Sequence, residues 1–402
     1  MRISSNTIYQ QGLNAILRNQ AQMEKTQQQV SSGRRILTPA DDPAGAAQAL
    51  DVAQAEAMNA QYAANRATAA DTLSLVENRL AEVSSIISNV RVLAVNAGSG
   101  ILSDSDRASL ATHFSSAMSE LLGMANATDG QGRYLFSGYQ SQTQSFSAGA
   151  GGVQYNGDDG ERLVQVDSSR QMAVSVSGAS VFTRIPAGNG SFTTAAAASN
   201  TGAGVINPGS VLDAASLTGH DYRIDFTVSG GVTTYAVIDT TTSATLLSAQ
   251  PFSSGDSIRI DGMDIVIEGA PANGDRFSVA PGADRSIFQT VQDLITLLQT
   301  PANAAGGVAR LAGGLKQGIA NLDQALNNAL TQRGTIGARL KEIDSLQSAG
   351  DSRSVQYQQT LSRLQDVDMN AAISDLTRQQ LNLQAAQKSY VQVSGLSLFN
   401  YL

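Results

Sequence analysis

The chain has 402 residues, a formal net charge of -8, no cysteine and no tryptophan. That sign of charge, with Lys and Arg scattered rather than clustered, speaks against nucleic acid, and the missing cysteine excludes disulfides, thiolate catalysis and Cys-based metal sites. Aromatic residues make up only 5% against 42% hydrophobic, a balance that suits slender helical rods better than a thick core.

The N-terminal stretch holds no apolar run of the ~7–15 residues a secretory leader needs, and no window approaches about 18 apolar residues, so membrane insertion is not expected. A first helix is predicted over Ser5 to Val30, with Leu13, Ile16, Met23 and Val30 three and four apart and Gln20 and Gln27 at the seam positions between them. Ser31, Ser32 and Gly33 end it. Asp42 then caps a second helix whose first turn holds Pro43.

That second helix is expected to run to about Asn96. Leu73, Val76, Leu80, Val83, Ile87 and Val90 keep strict spacing along it, at a length of about 80 Å. A shorter helix follows from about Arg107 to Ala127, and Tyr134-Leu135-Phe136-Ser137-Gly138 reads as a short strand or hairpin arm. From Phe146 to about Ala283 the period changes to that of strands, over Arg162–Val166, Met172–Val176, Tyr222–Val228, Thr234–Ile238, Ile258–Ile260 and Ile265–Ile267. Gly188 to Asn207 is expected to be a loop or a poorly packed ribbon.

Helix resumes over Ser286 to Leu298 and again over Val308 to about Leu346. Leu322, Leu326, Ile336, Leu340 and Ile343 make a stripe to partner the one from Leu73 to Val90, with Arg333 interrupting it. Gly350 and Asp351 mark a last joint. Beyond Ser352, Met369, Ile373, Leu376, Leu383 and Tyr390 form a second narrow stripe, with Gln380 and Gln387 between them. Stripes so narrow need another helix to cover them. The reading is mainly α with an inserted β-rich domain: terminal helical arms at 1–42 and 352–402 for assembly, a helical rod at 43–145 and 284–351, and a β-rich outer domain at 146–283. The assembly residues are Leu13, Ile16, Met23, Val30, Ile373, Leu376, Leu383 and Tyr390. The rod core is Leu73, Val76, Leu80, Val83, Ile87, Val90, Leu322, Leu326, Ile336, Leu340 and Ile343.

Chemistry is sparse. His113 and His220 stand far apart in different predicted domains, and no nucleotide or hydrolase motif is present. Asp41/Asp42 read as capping and joint residues, Asp158/Asp159 lack calcium-loop spacing, and Asp366/Asp368 read as a solvated face or a contact between subunits. The N-x-[ST] sequons at Asn126 and Asn189 are short enough to occur by chance. No catalytic, cofactor-binding or metal residue is assigned, and no enzyme activity or cofactor is expected.

Met1-Arg2-Ile3-Ser4-Ser5-Asn6, Gln28-Gln29-Val30-Ser31-Ser32-Gly33-Arg34-Arg35-Ile36 and Pro39-Ala40-Asp41-Asp42-Pro43-Ala44-Gly45 together resemble the N-terminal signature of the flagellin superfamily. Tyr134 to Gly138 is similar to the segment closing its N-terminal half. Asp366 to Ile373, Gln384 to Tyr390 and Leu398-Phe399-Asn400-Tyr401-Leu402 resemble its C-terminal signature. The opening and closing residues look more like the hook-associated branch at the hook–filament junction. A minor flagellin forming part of the filament stays open as the alternative. The resemblance implies a discontinuous helical rod built from both chain ends and a structural adaptor between a hook-side hook-associated protein and the flagellin filament. It also implies copies of the chain in a junction ring, a cytoplasmic export chaperone, and type III export without a cleaved signal peptide to an extracellular site.

Overall fold

The computed structural model describes residues 5–98, 102–149 and 151–395. The opening Met-Arg-Ile-Ser and the closing Leu-Phe-Asn-Tyr-Leu lie outside them. Six α-helices are described: α1 Ser5–Ser32, α2 Pro43–Ala97, α3 Asp104–Ala125, α4 Ile287–Gln299, α5 Gly307–Gln365 and α6 Met369–Gly395. Two compact units divide the chain, one of Met1–Arg66 with Ser345–Leu402 and one of Ala67–Asp344.

In the first unit α1 packs against α6, and the opening part of α2 lies beside the closing part of α5. Gly350 does not break the chain: α5 passes through it, and the turn comes later, between Gln365 and Met369. Gly350 serves space rather than conformation. A Cβ there would stand 2.3 Å from Nη2 of Arg66, a side chain with no exposed surface.

In the second unit Leu73, Val76, Leu80, Val83, Ile87 and Val90 are buried on α2, as are Leu322, Ile336 and Ile343 on α5, while Leu326 and Leu340 are half-buried. Helices α2 and α5 run in opposite directions, since Glu77 meets Arg333 and Arg91 meets Asp323. Arg333 sits in the seam because Glu77 Oε1 accepts from its Nε at 2.9 Å and its Nη2 at 2.8 Å. Helix α3 is capped by Ser103, whose side chain accepts from the N–H of Asp106 while the Asp106 carboxylate accepts from the N–H of Ser103. Helix α4 lies against α3 and also seats on α5. Gly314 and Gly318 make that second approach possible: a Cβ would fall 2.5 Å from Leu297 Cδ2 and 2.4 Å from Leu294 Cδ2.

The strands of this unit are β1 Phe146–Gly149, β2 Gly152–Tyr155, β3 Leu163–Asp167, β4 Arg170–Ala173, β5 Ile185–Pro186, β6 Phe192–Ala196, β7 Val205–Ile206, β8 Ser210–Val211, β9 Tyr222–Ser229, β10 Val232–Asp239, β11 Ala244–Pro251, β12 Ser257–Ile260, β13 Met263–Glu268, β14 Arg276–Pro281 and β15 Asp284–Arg285. An antiparallel sheet in the order β11-β10-β9-β14-β6 shares a core with a smaller sheet, β12-β13-β7, to which β8 adds by pairing with β13. Alternation aims Tyr222, Ile224 and Phe226 from one sheet, and Met263, Ile265 and Ile267 from the other, into that core. The expected loop at 188–207 is therefore corrected. Its Phe192 to Ala196 portion is an edge strand paired with β14, and Phe192 is buried in the core.

A second apolar centre is aromatic. Phe136, Phe146, Phe182 and Phe288 are fully buried, with Phe182 stacked on Phe288 and standing edge-on to Phe136 and Phe146. The Tyr134–Gly138 segment feeds Phe136 into it without becoming a strand. Only Tyr134 makes a bridge, to Thr128, and the rest is turn. Gly138 has φ +68° and passes the backbone of Asp158 so closely that a Cβ would meet its carbonyl oxygen at 2.5 Å.

Candidate assembly elements

Helices α1 and α6 pair antiparallel, with Tyr9 edge-on to Tyr390 at a centroid distance of 6.4 Å at one end and the joint between 33–42 and 364–368 at the other. Along α1 the less exposed positions are Tyr9, Gly12, Ala15, Ile16, Asn19, Met23, Lys25, Thr26, Gln29 and Val30. Along α6 they are Ala372, Asp375, Leu376, Gln379, Leu383, Ala386 and Tyr390. The predicted positions Ile16, Met23, Val30, Leu376, Leu383 and Tyr390 fall in this seam.

The positions between them are corrected. Gln20, Gln27, Gln380 and Gln387 face outward, and small or polar residues take the seam one residue earlier. Counting back from Ile16, both i−3 and i−4 lie on the same side of a helix. The structure selects i−4 because Gly12 leaves room for a ring: a Cβ there would stand 2.9 Å from Cδ2 of Tyr390. Leu13 is thereby turned out and is 48% exposed, with Leu17 at 53%, Met369 at 43% and Ile373 at 50%. The paired arms thus carry apolar surface on the outside as well as in the seam.

The joint is held mostly by backbone. Gly33, at φ +71°, ends α1, and its carbonyl accepts from the N–H of Val367 at 3.0 Å. The N–H of Arg35 donates to the carbonyl of Gln365 at 2.6 Å, and its Nη2 to that of Leu364 at 2.8 Å. Asp41 accepts from the N–H groups of Leu37 and Thr38 and pairs with Lys25 on α1 at 2.6 Å. The Lys25 hydrogen bond, then that of the Thr38 backbone, holds the Asp41 carboxyl down at about 2. Asp42 caps α2 by accepting from the N–H of Gly45 at 2.9 Å, a bond that with Arg35 lowers its pKa too. Gly45 is required because a Cβ would meet Asp42 Oδ2 at 2.6 Å. Asp368 caps α6 through the N–H groups of Asn370 and Ala371, and both Asp366 and Asp368 are exposed at the joint, in keeping with a solvated face.

The other acidic candidates and His220 have structural partners. Asp158 accepts from the N–H groups of Tyr139 and Gly160, and Asp159 pairs with Arg184. His113 is exposed, and His220 Nδ1 lies 2.8 Å from Asp239. Asn126 exchanges two hydrogen bonds with the backbone of Phe146, and Asn189 accepts from the N–H groups of Ser191 and Phe192. Among the described residues no group of three His, Cys, Asp or Glu side chains is placed to hold a metal, and no helix is long and apolar enough to cross a membrane.

Comparison with known proteins matches residues 3–141 to the bacterial flagellin N-terminal helical region, 195–281 to the D2-like domain of flagellar hook-associated protein 1, and 319–402 to the bacterial flagellin C-terminal helical region. Flagellar hook-associated protein 3 of Escherichia coli (strain K12) is 32% identical over 400 residues, covering 99% of both chains. The protein of the same description from Salmonella typhimurium is 30% identical over 407 residues, again with 99% of each chain covered. The crystal structure of the flagellar junction protein FlgL from Legionella pneumophila superposes with a TM-score of 0.73 at 31% identity, covering 79% of this chain and 100% of that one.

Proposed function

Since the chain belongs to the flagellar hook-associated protein 3 family, we propose that the paired α1 and α6 are the element by which it joins the structures on either side of it. The protein is a structural adaptor of the bacterial flagellum, located outside the cell at the hook–filament junction, where it links a hook-associated protein to the flagellin filament. It is not an enzyme.

One observation carries the assembly reading: α1 and α6 cover each other's seam and still leave Leu13, Leu17, Met369 and Ile373 exposed. Surface of that kind on a chain end is used by burying it against a neighbour. The neighbours are further copies of the chain in a ring, together with the hook-associated protein and flagellin. Residues 1–42 and 352–402 act as assembly arms, although 352–365 continue α5. Export proceeds through the flagellar type III channel with a cytoplasmic chaperone and without a cleaved signal peptide. Helices as narrow-striped as α1 and α6 are marginal in isolation, and this suits passage as an unfolded chain followed by folding at the tip.

The test is localisation. Antibody or gold label on the protein in intact flagella should mark one short layer between hook and filament. Label along the whole filament would establish the minor-flagellin alternative instead.

A further inference from the structure

One face of α5 is bare of side chains at two positions and carries an amide at two more. Gly314, Gln317, Gly318 and Asn321 fall three and four apart, so they share that face. Each glycine costs the helix about 1 kcal/mol against alanine. The two seat α4 through Leu294 and Leu297, yet α4 does not cover the whole face. A cavity of about 330 Å³ remains between α4, α5 and β6, with Ala187, Ala195, Leu294 and Leu297 among its apolar walls.

The polar groups around the cavity divide into committed and uncommitted ones. Thr194 Oγ1 donates to the carbonyl of Asn207 at 2.7 Å, Thr290 Oγ1 donates to that of Ser286 at 3.2 Å, and Arg285 pairs with Asp293. Asn321 is different. It is 8% exposed, and its Oδ1 accepts from the N–H of Gly188 at 2.7 Å, which fixes the side chain and leaves Nδ2 without an acceptor among the described residues. That nitrogen is not sealed in, and the little surface Asn321 keeps belongs to the wall of the cavity. One turn earlier, Gln317 Oε1 stands 3.4 Å from Thr194 Oγ1, whose proton is already given to Asn207. An amide nine-tenths buried that faces open space without an acceptor is uncommon in a folded chain. Water can meet such a group, but it gains nothing from the leucine side of the same cavity.

We propose that this cavity is a binding site for a small uncharged amide with an apolar body. The ligand's carbonyl oxygen accepts from Asn321 Nδ2, its N–H donates to the Gln317 oxygen one turn away, and its body lies against Leu294 and Leu297. The charge state follows from the pair that lines the cavity beside them. Arg285 and Asp293 satisfy each other, so an anion meets the Asp293 carboxylate and a cation meets the guanidinium, and neither finds a charge left over to pair with. A few polar groups that orient an apolar body are the usual build of a small-molecule site. A ligand held there touches β6 on one side and α4 and α5 on the other, and so braces the edge strand against the helices. The site stands or falls independently of the adaptor role.

Hexanamide is the probe, with hexanoate and hexylamine as its charged counterparts, all on the full-length chain. Titration followed through the side-chain amide signals of Asn321 and Gln317 in NMR should show saturable shifts with a Kd of about 1 mM or tighter, and the melting temperature should rise with it. Hexanoate and hexylamine should bind about tenfold more weakly or worse. Asn321→Asp keeps the acceptor for Gly188 and removes the donor, so affinity for hexanamide should fall about tenfold or more. Because a buried carboxylate also burdens folding, Ala195→Phe is the second variant. Residue 195 is exposed on β6, so the added ring should close the cavity and abolish binding while the unliganded melting temperature stays at that of the parent. No saturable shift at Asn321 or Gln317, unchanged affinity in Ala195→Phe, or equal binding of the charged probes would overturn the site and leave a water-filled gap in the packing.

Discussion

Arg66 and Gly350 occupy each other's space. The guanidinium has no exposed surface, lies where the Cβ of residue 350 would be, and donates from Nε to Gln347 Oε1 at 2.9 Å, while Asn59 Nδ2 donates to the Gly350 carbonyl at 2.8 Å. A flexible arginine tip usually moves aside cheaply, but this one is enclosed. Gly350→Ala should therefore destabilise the first unit by about 1–3 kcal/mol through overpacking, against a gain of about 1 kcal/mol in helix propensity. Calorimetry checks the sign. A raised melting temperature would mean that Arg66 yields and propensity wins.

The joint supplies a pH prediction. Asp41, with its folded pKa depressed from the ordinary aspartate value to about 2 by Lys25 and Thr38, contributes stability that is fully present above the unfolded value and is lost as pH falls through the folded one. The attachment of α1 to the joint should survive at about pH 4 and give way toward about pH 2. A carboxyl NMR titration of Asp41 with a midpoint near an ordinary aspartate, about 3.9, would refute it. Lys25→Ala should raise that midpoint.

Helix α2 was legible because it carries its own punctuation in Asp42 and Pro43 and because its stripe from Leu73 to Val90 is long enough to fix a face. The choice between Leu13 and Gly12 was not, since positions i−3 and i−4 are equally plausible on a helix and only the Tyr390 ring decides between them. Gly350 misled for a related reason. Glycine marks both a break and a close approach, and sequence does not say which until Arg66 is seen lying on it. The run Thr193-Thr194-Ala195-Ala196 hid β6, an edge strand whose partner β14 lies some eighty residues away.

That edge strand makes Phe192 a sensitive position in a segment that reads as tolerant. Its ring is 2% exposed, within a core shared by both sheets. Phe192→Ala should cost the β-rich part about 3–5 kcal/mol, seen as faster hydrogen exchange in β9 and β14. Exchange rates there equal to those of the parent would show that β6 is dispensable to the sandwich.

The two faces of α6 separate folding from assembly. Leu383 is half-buried in the seam with α1, whereas Ile373 is 50% exposed on the outer side. Leu383→Asp forfeits about 1–2 kcal/mol of burial and places an uncompensated carboxylate in the seam. For a pair of helices marginal on their own, that is enough to part them. Ile373→Asp places its charge in water, so the soluble chain should keep the hydrogen-exchange protection of α1 that Leu383→Asp loses. In cells both variants should be exported, and both should shed flagellin into the medium, the first because the arms are unpaired and the second because a neighbour would have to bury the new charge. The informative result is the second. Normal filaments from Ile373→Asp would mean that the exposed side of α6 meets only solvent, and assembly would then have to run through surfaces other than the outer face of the arms.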